Sequence, residues 1–409
     1  MEYLNEKVSQ LKESGGLYTA EEISRQPELW EETFERIAFY QSQIDDFLKE
    51  ILTIPDLQII LTGAGTSAFI GEVLQREFQK STGKSTRAIS TTDLVSHPAE
   101  SFQRSAPTLM VSFARSGDSP ESVAAFDLAE ELINNVFHFI ITCNPDGKLA
   151  GVGKKPNAYV LLMPEEANDQ ALAMTGSFTS MLLAGILITS VNSLCDRRDA
   201  VKKISDYGRI VLNSFAPKLK ELARQDFKRV VFLGSGPLKG IAEESQLKVQ
   251  ELTDGTIICK HDSFLGFRHG PKAVIDESTL IFYLFSGDPY VHQYEVDLVK
   301  SIRNNSKAPY SLGVFEYLEK AEDLHLDLAL ELSPTKSYVP DVFFAVCSVL
   351  PAQILGFYKS LQLGLKPDIP SKSGSITRVV QGVTIYPYKN VDRQNLRLLN
   401  PDKKVKKYN

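Results

Sequence analysis

Two stretches decide how this chain is read: "QIILTGAG" at residues 58–65 and "RVVFLGSG" at residues 229–236. Each is a short apolar run closed by Gly-x-Gly, and Gly63 and Gly65 recur as Gly234 and Gly236 at an offset of 171 residues. A run of this length bounded by turn residues reads as a buried strand, and the glycines let the backbone turn sharply into a following helix. A second landmark repeats at nearly the same spacing. "FARSGD" (113–118) returns as "LFSGD" (284–288), with Ser286-Gly287-Asp288 lying 170 residues after Ser116-Gly117-Asp118. Two landmarks at one offset indicate an internal repeat.

Working outward, apolar runs alternate with amphipathic segments: "LQIILTG", "AFIGEVLQREFQK", "TRAIS", "TLMVSFA", "SPESVAAFDLAEELIN" and "HFIITCN". Strand and helix in alternation predict parallel sheets with crossover helices. The expected fold class is therefore α/β, with two repeated, doubly wound, flavodoxin-like three-layer domains over residues 53–215 and 222–390. The helical stretch "DRRDAVKKISDYGRIVLNSFAPKLKELARQD" joins them, residues 1–52 form an N-terminal helical segment, and 391–409 are a tail. Within the N-terminal segment, residues 19–52 read as helix interrupted at Pro27. Thr19 and Glu22 have capping-box spacing, and Trp30, Phe34, Ile37, Ile44, Phe47 and Leu48 form an apolar stripe.

Composition narrows the partners. A net charge of −6 and a pI near 5.7 argue against nucleic acid or an anionic membrane as the main partner, since both reward a basic face. The exception, "PDKKVKKYN" at the end of the chain, reads as a solvated terminus. Cys143, Cys195, Cys259 and Cys347 are far apart with no CxxC pair, so neither a metal site nor a disulfide framework is indicated, and a reducing compartment is expected. The uncharged stretch 177–195 reads as the one candidate span. Its apolar core of about ten residues suits a buried helix better than a membrane one. With no signal-peptide pattern at the N-terminus, the expectation is a cytoplasmic protein.

"LTGAGTSAFIG" satisfies the dinucleotide pattern GxGxxG/A but has Thr91 and Thr92, not an acid, where the second strand ends. What it does carry is Thr66 and Ser67 after Gly65, hydroxyls at a helix N-terminus where free N–H groups and the helix dipole attract an anion. "ARSGDSPES" repeats the design with Ser116, Gly117 and Ser119, and Pro120 suits the first helical turn. Helix capping alone would explain one such loop. Two at neighbouring strand ends point to a cradle for one phosphate group, and Pro237 and Pro289 replace the hydroxyls in the second copy, which confines the site to the first domain.

The sequences "GAGTS" and "SGDS" in repeated domains resemble the sugar isomerase (SIS) fold, which binds phosphorylated sugars. Its best-known example, the isomerase half of glucosamine-6-phosphate synthase, reads SQSGET in the second loop; this chain has Ala114, Arg115 and Ser119 in place of the first Ser, the Gln and the Thr. The departure at Arg115 implies rearranged phosphate contacts. In the second domain, "LKVQE" places Lys248 and Glu251 one helical turn apart, and His269 follows in "RHGP", where Gly-Pro can continue neither helix nor strand. The family pairs a Lys-x-x-Glu helix with a His-Gly-Pro corner. The resemblance therefore implies Glu251 as the base that moves a proton between C2 and C1, His269 as the group serving the ring oxygen, and Lys248 as a stabiliser of negative charge. Without the resemblance, Lys248 and Glu251 read equally as an ion pair on a helix face. "DIPSKSGSITRVVQGVTIYPY" resembles the closing segment of SIS enzymes, with Lys372 and Arg378 as cationic candidates. His261 has no motif around it.

"YTAEEISRQPELW", "RSGDSPES", "FRHGPK" and "RVVQGVTIYP" together resemble the AgaS family over nearly the whole chain. That implies conversion of D-galactosamine 6-phosphate to D-tagatose 6-phosphate with release of ammonia, needing no cofactor. No glutamine-hydrolysing segment is expected, since Glu2 and not a nucleophilic Cys follows Met1. The alternatives are isomerisation without loss of nitrogen, action on glucosamine 6-phosphate, or a sugar-phosphate sensor, which would not need Glu251 and His269. Sites of this kind lie between subunits, so the resemblance also implies a homo-oligomer, at least a dimer.

Overall fold

The computed structural model describes residues 1–305, 310–380 and 382–389, so the basic tail at 391–409 lies outside the described residues. The first sheet is built from β1 (Gln58–Thr62), β2 (Ser85–Ala88), β3 (Thr108–Ala114), β4 (Val136–Thr142) and β5 (Ala158–Leu162), all parallel, in the order β2-β1-β3-β4-β5. The second comprises β6 (Arg229–Gly234), β7 (Ile258–Asp262), β8 (Thr279–Leu284), β9 (Tyr310–Phe315) and β10 (Leu328–Glu331), in the order β7-β6-β8-β9-β10. The two orders are the same, 2-1-3-4-5, as the repeated landmarks predict, and the reversal beside the first strand leaves a crevice at the carboxyl ends.

The repeat extends to backbone angles. Gly65 has φ 55° and ψ −130° before helix α4 (Thr66–Thr82), and Gly236 has φ 56° and ψ −127° before helix α9 (Pro237–Leu252). A residue with a Cβ rarely adopts such a conformation, so glycine is required at both corners. One position earlier in each Gly-x-Gly, a Cβ on Gly63 would sit 2.6 Å from the Ser67 carbonyl, and one on Gly234 would sit 2.2 Å from that of Leu238. The glycines therefore serve close strand-to-helix packing as well as the turn.

The N-terminal segment departs from expectation in its details. After a short helix at Val8–Ser14, its helices are α1 (Leu17–Ser24), α2 (Gln26–Phe39) and α3 (Gln41–Thr53). Pro27 sits in the first turn of α2, so the break falls before it at Arg25, and a second break occurs at Tyr40. The spacing of Thr19 and Glu22 suggested a capping box, but α1 begins two residues earlier after Gly16, and both side chains reach across the fold. Thr19 donates to Asp368 Oδ1 from its N–H and its hydroxyl, both at 2.8 Å, while buried Glu22 accepts from the N–H groups of Gln170 and Ala171. Of the apolar stripe, Trp30, Phe34, Ile37, Ile44 and Leu48 are buried, Trp30 fully so, while Phe47 is only partly buried against the core.

Between the sheets lie α6 (Gly176–Ile188), buried along its whole length, and α11 (Asp341–Ser348) with α12 (Leu350–Gln362). Stretch 177–195 is therefore not the one apolar candidate. Residues 341–362 are also long and apolar enough to cross a membrane, and 94% of their most apolar window is buried inside the protein. Both apolar stretches pack in a continuous core that draws on both sheets.

The contact that matters for the site joins α9 of the second domain to α4 of the first. At their crossing a Cβ on Gly240 would be 2.7 Å from the Val73 side chain and 3.0 Å from its backbone nitrogen. This close approach carries the far end of α9 to the crevice of the first sheet.

Candidate active site

At the carboxyl edge of the first sheet is a cavity of about 440 Å³. Of the residues singled out in the sequence, Gly65, Thr66, Ser67, Arg115, Ser116, Ser119, Lys248, Glu251 and Arg378 line it. Gly117, Lys372 and His269 do not.

The two hydroxyl turns form its floor. Ser119 is the residue preceding helix α5 (Pro120–Leu132), yet its side chain makes no cap hydrogen bond, and the residue preceding α4 is Gly65, which has no side chain to cap with. Capping therefore does not account for the Ser119 hydroxyl. Thr66 and Ser67 are almost fully buried, Ser67 Oγ meeting only the Met174 sulfur at 3.9 Å, and Gly117 bends its turn with φ 69°. Backbone N–H groups and hydroxyls at two helix starts suit an anion with several acceptor oxygens.

The second domain has filled its copy of this turn. Asp288 N–H donates to Ser286 Oγ at 3.0 Å, as Asp118 N–H does to Ser116 Oγ at 3.3 Å. There, however, Ser286 Oγ donates to Asp341 Oδ2, Gly287 N–H donates to Asp341 Oδ1 at 2.9 Å, and Ser286 N–H donates to Glu295 Oε2 at 2.9 Å. Carboxylates of the chain itself occupy the donors.

On the cavity wall Lys248 and Glu251 project from α9. Lys248 is only 1% exposed, with Nζ 2.6 Å from Glu251 Oε2 and 3.5 Å from Glu244 Oε1 one turn back. Glu251 retains 23% exposure, so its carboxylate opens onto the cavity. Burial pulls the Lys248 ammonium down, but Glu244 and Glu251 outweigh it and hold its pKa above the ordinary lysine value. Burial pushes Glu244 up to about 8 against the attraction of Lys248. A buried ammonium thus fixes a half-open carboxylate beside the anion turns, an arrangement able to take a proton from a bound carbon acid.

The roof is the segment 374–380, through Gly374, Ser375, Ile376, Thr377, Arg378 and Val380. Arg378 donates to the Asp169 carbonyl and Asn168 Oδ1, so it is the cation of this segment that reaches the site. Lys372 is exposed and its N–H donates to Asp254 instead. Arg115 lines the cavity but spends its buried guanidinium on the carbonyls of Ala171, Leu172 and Arg378.

Around His269 the Gly-Pro corner is built as its sequence predicts. Gly270 has φ 115°, Pro271 starts a short 3-10 turn, and His269 N–H donates to Gly266. Its side chain is exposed, away from the lining of its own chain's cavity. The corner borders a wider depression of about 920 Å³ lined by Arg268, Gly270, Lys272, Asp276 and Glu277, apart from the cavity that holds Lys248 and Glu251. His261 lies on edge strand β7, 3.9 Å from Glu243, and burial lowers its pKa.

Sequence reading missed Ser122, Leu172, Met174 and Glu244. Ser122 was recoverable, being three residues beyond Ser119 on α5, and Glu244 stands four before Lys248. Leu172 and Met174 come from an irregular loop that no local pattern ties to the site.

Repeated 2-1-3-4-5 sheets with hydroxyl turns at the crevice of the first define a protein of the SIS class, and the SIS domain model matches residues 52–190. The chain is 42% identical over 385 residues to D-galactosamine-6-phosphate deaminase AgaS of Shewanella sp. (strain ANA-3), covering 93% of this chain and 95% of that protein. A solved structure from Clostridium novyi NT is similar at TM-score 0.92 and 42% identity, over 95% of this chain and all of the other. The tagatose-6-phosphate ketose/aldose isomerase of Escherichia coli gives TM-score 0.82 at 36% identity, over 91% and 97% of the two chains. This chain belongs to the AgaS family.

Proposed function

We propose that the protein is a deaminating aldose–ketose isomerase that converts D-galactosamine 6-phosphate to D-tagatose 6-phosphate and ammonia. The observation that carries this reading is the half-open Glu251 carboxylate, held by buried Lys248 in the same cavity as the hydroxyl turns. Thr66, Ser67, Ser116 and Ser119, with the N–H groups of their turns, hold the phosphate, and Gly65 and Gly117 give those turns their shape. His269 of a second copy of the chain serves the ring oxygen during opening, which makes the active unit at least a dimer. The exposure of His269 and its rigid corner support that role.

In the open sugar, Glu251 takes the proton from C2 and the electron pair becomes the C1–C2 double bond while O1 gains a proton, forming an enolamine. Returning the proton to C1 places the double bond between C2 and nitrogen. Water then adds to C2, ammonia leaves, and the ketose remains. Lys248 stabilises charge on oxygen as it develops, and every proton step falls to side chains. The free cysteines and acidic charge balance support a cytoplasmic setting.

The test is ammonia release from galactosamine 6-phosphate and glucosamine 6-phosphate in parallel, for wild type and Glu251→Gln. Release from the galacto sugar, lost in the variant, is the expected result. The name carried by the Escherichia coli relative favours a second reading, isomerisation of tagatose 6-phosphate without loss of nitrogen. That reading wins if neither amino sugar yields ammonia but tagatose 6-phosphate is isomerised.

A further inference from the structure

Arg115 departs from the wider family's glutamine, and the structure gives its guanidinium an unusual employment. It is 6% exposed and donates to Ala171 O at 3.2 Å, to Leu172 O at 3.1 Å and to Arg378 O at 2.5 Å. Arg378 answers by donating to Asp169 O and Asn168 Oδ1. Loop 168–172 is thus gripped by one arginine from the anion turn and one from the roof.

The same loop receives Glu22 from α1 and, through Leu172 N–H, the carbonyl of Asp368. Asp169 is a fully buried acceptor for the N–H groups of Thr175 and Ser177, and burial, with Asp169 beside it, pushes the Glu22 carboxyl upward. Both guanidiniums thus bear on one buried loop, and Arg115 is the chain neighbour of Ser116 in the anion turn, so an anion held there attracts the same guanidinium that donates to the roof at Arg378 O.

We propose that Arg115 is a positioning residue that links occupancy of the phosphate turn to closure of segment 371–380, so that a phosphorylated ligand is the condition for roofing the cavity. This rests on the reading of the two turns as the phosphate site. It makes the phosphate a switch for closure as well as a handle: sugars without it bind under an open roof, where the enolamine is exposed to solvent. Coupling of this kind is reciprocal, so whatever factor phosphate adds to closure, closure adds to phosphate affinity.

Trypsin reports closure, because Lys372 lies just before the roof and Arg378 within it. Cleavage after these residues is followed by mass spectrometry for the full chain with inorganic phosphate, with unphosphorylated galactosamine, and with neither. Phosphate binding is measured in parallel by calorimetry. In wild type, phosphate slows cleavage by about tenfold and galactosamine does not; in Arg115→Gln the protection disappears, phosphate affinity falls by no more than the same factor, and thermal stability in the absence of phosphate is lowered, because three buried carbonyls lose their donor. Arg378→Met, read at Lys372, gives the same loss of protection and serves if Arg115→Gln fails to fold. Phosphate that binds without protecting wild type, or that protects Arg115→Gln equally, overturns the link alone. Absence of phosphate binding overturns the phosphate-site reading with it. Intact protection without ammonia release counts against the deaminase reading and leaves the link standing.

Discussion

Replacing Lys248 by Met removes an ammonium that is 1% exposed and serves two carboxylates, at 2.6 Å and 3.5 Å. Breaking a buried ion pair from one side costs roughly 3–5 kcal/mol, because a charge is left without a partner. Here part of that cost is recovered by protonation. Glu244 already has its pKa at about 8, against an ordinary 4.5, so in the folded variant it takes up a proton easily at pH 6. The native state then binds more protons than the unfolded chain between pH 4.5 and about 8, and stability falls as pH rises through that window. Losing Lys248 moves the upper limit further up. The difference between wild type and Lys248→Met should therefore be small at pH 6, about 1–2 kcal/mol, and reach about 3 kcal/mol or more at pH 9. Urea unfolding at both pH values and fixed protein concentration measures it. Lys248→Met/Glu244→Gln should lose most of the pH dependence. A penalty equal at pH 6 and pH 9 would refute the idea that Lys248 offsets the desolvation of buried Glu244.

Other consequences are simpler to check. Ser116→Ala should raise KM for the phosphorylated sugar by about 10-fold or more, as expected when a hydrogen bond to a charged group is lost, whereas its twin Ser286→Ala should leave KM unchanged and lower stability by about 1–3 kcal/mol, because its partner is Asp341. Steady-state kinetics and unfolding curves separate the two. Gly240→Ala introduces a Cβ 2.7 Å from the Val73 side chain, so α9 must move off α4; a loss of about 1–3 kcal/mol with a lower kcat is expected, since Glu251 rides on that helix. Mixing inactive Glu251→Gln with inactive His269→Asn should restore about a quarter of wild-type activity after subunit exchange, if the corner histidine is lent across a two-fold interface. No recovery in demonstrated heterodimers would place His269 outside the chemistry.

Legibility varied with the range of the interactions. Gly65, Gly236 and the Ser116 and Ser286 turns were readable because each is a local backbone demand, met by the same residue at a fixed offset. Thr19 and Glu22 misled for the opposite reason. Their spacing obeys a local capping rule, yet the lowest-energy partners of these groups were Asp368 and the 170–171 backbone, far away in the chain. The joining of α9 to the crevice of the first sheet hangs on Gly240 meeting Val73, a contact that no periodicity encodes.

Taken alone, the sequence determined the repeated α/β architecture, the single set of open hydroxyl turns and the residue types offered for proton transfer, since strand periodicity, glycine conformations and helix spacing are properties of short segments. Only the tertiary structure decided that Arg378 and not Lys372 roofs the site, that Asp341 fills the second turn, and that Arg115 grips backbone. Those outcomes turn on which buried polar groups find partners, and desolvation sets that balance only after remote segments have packed together.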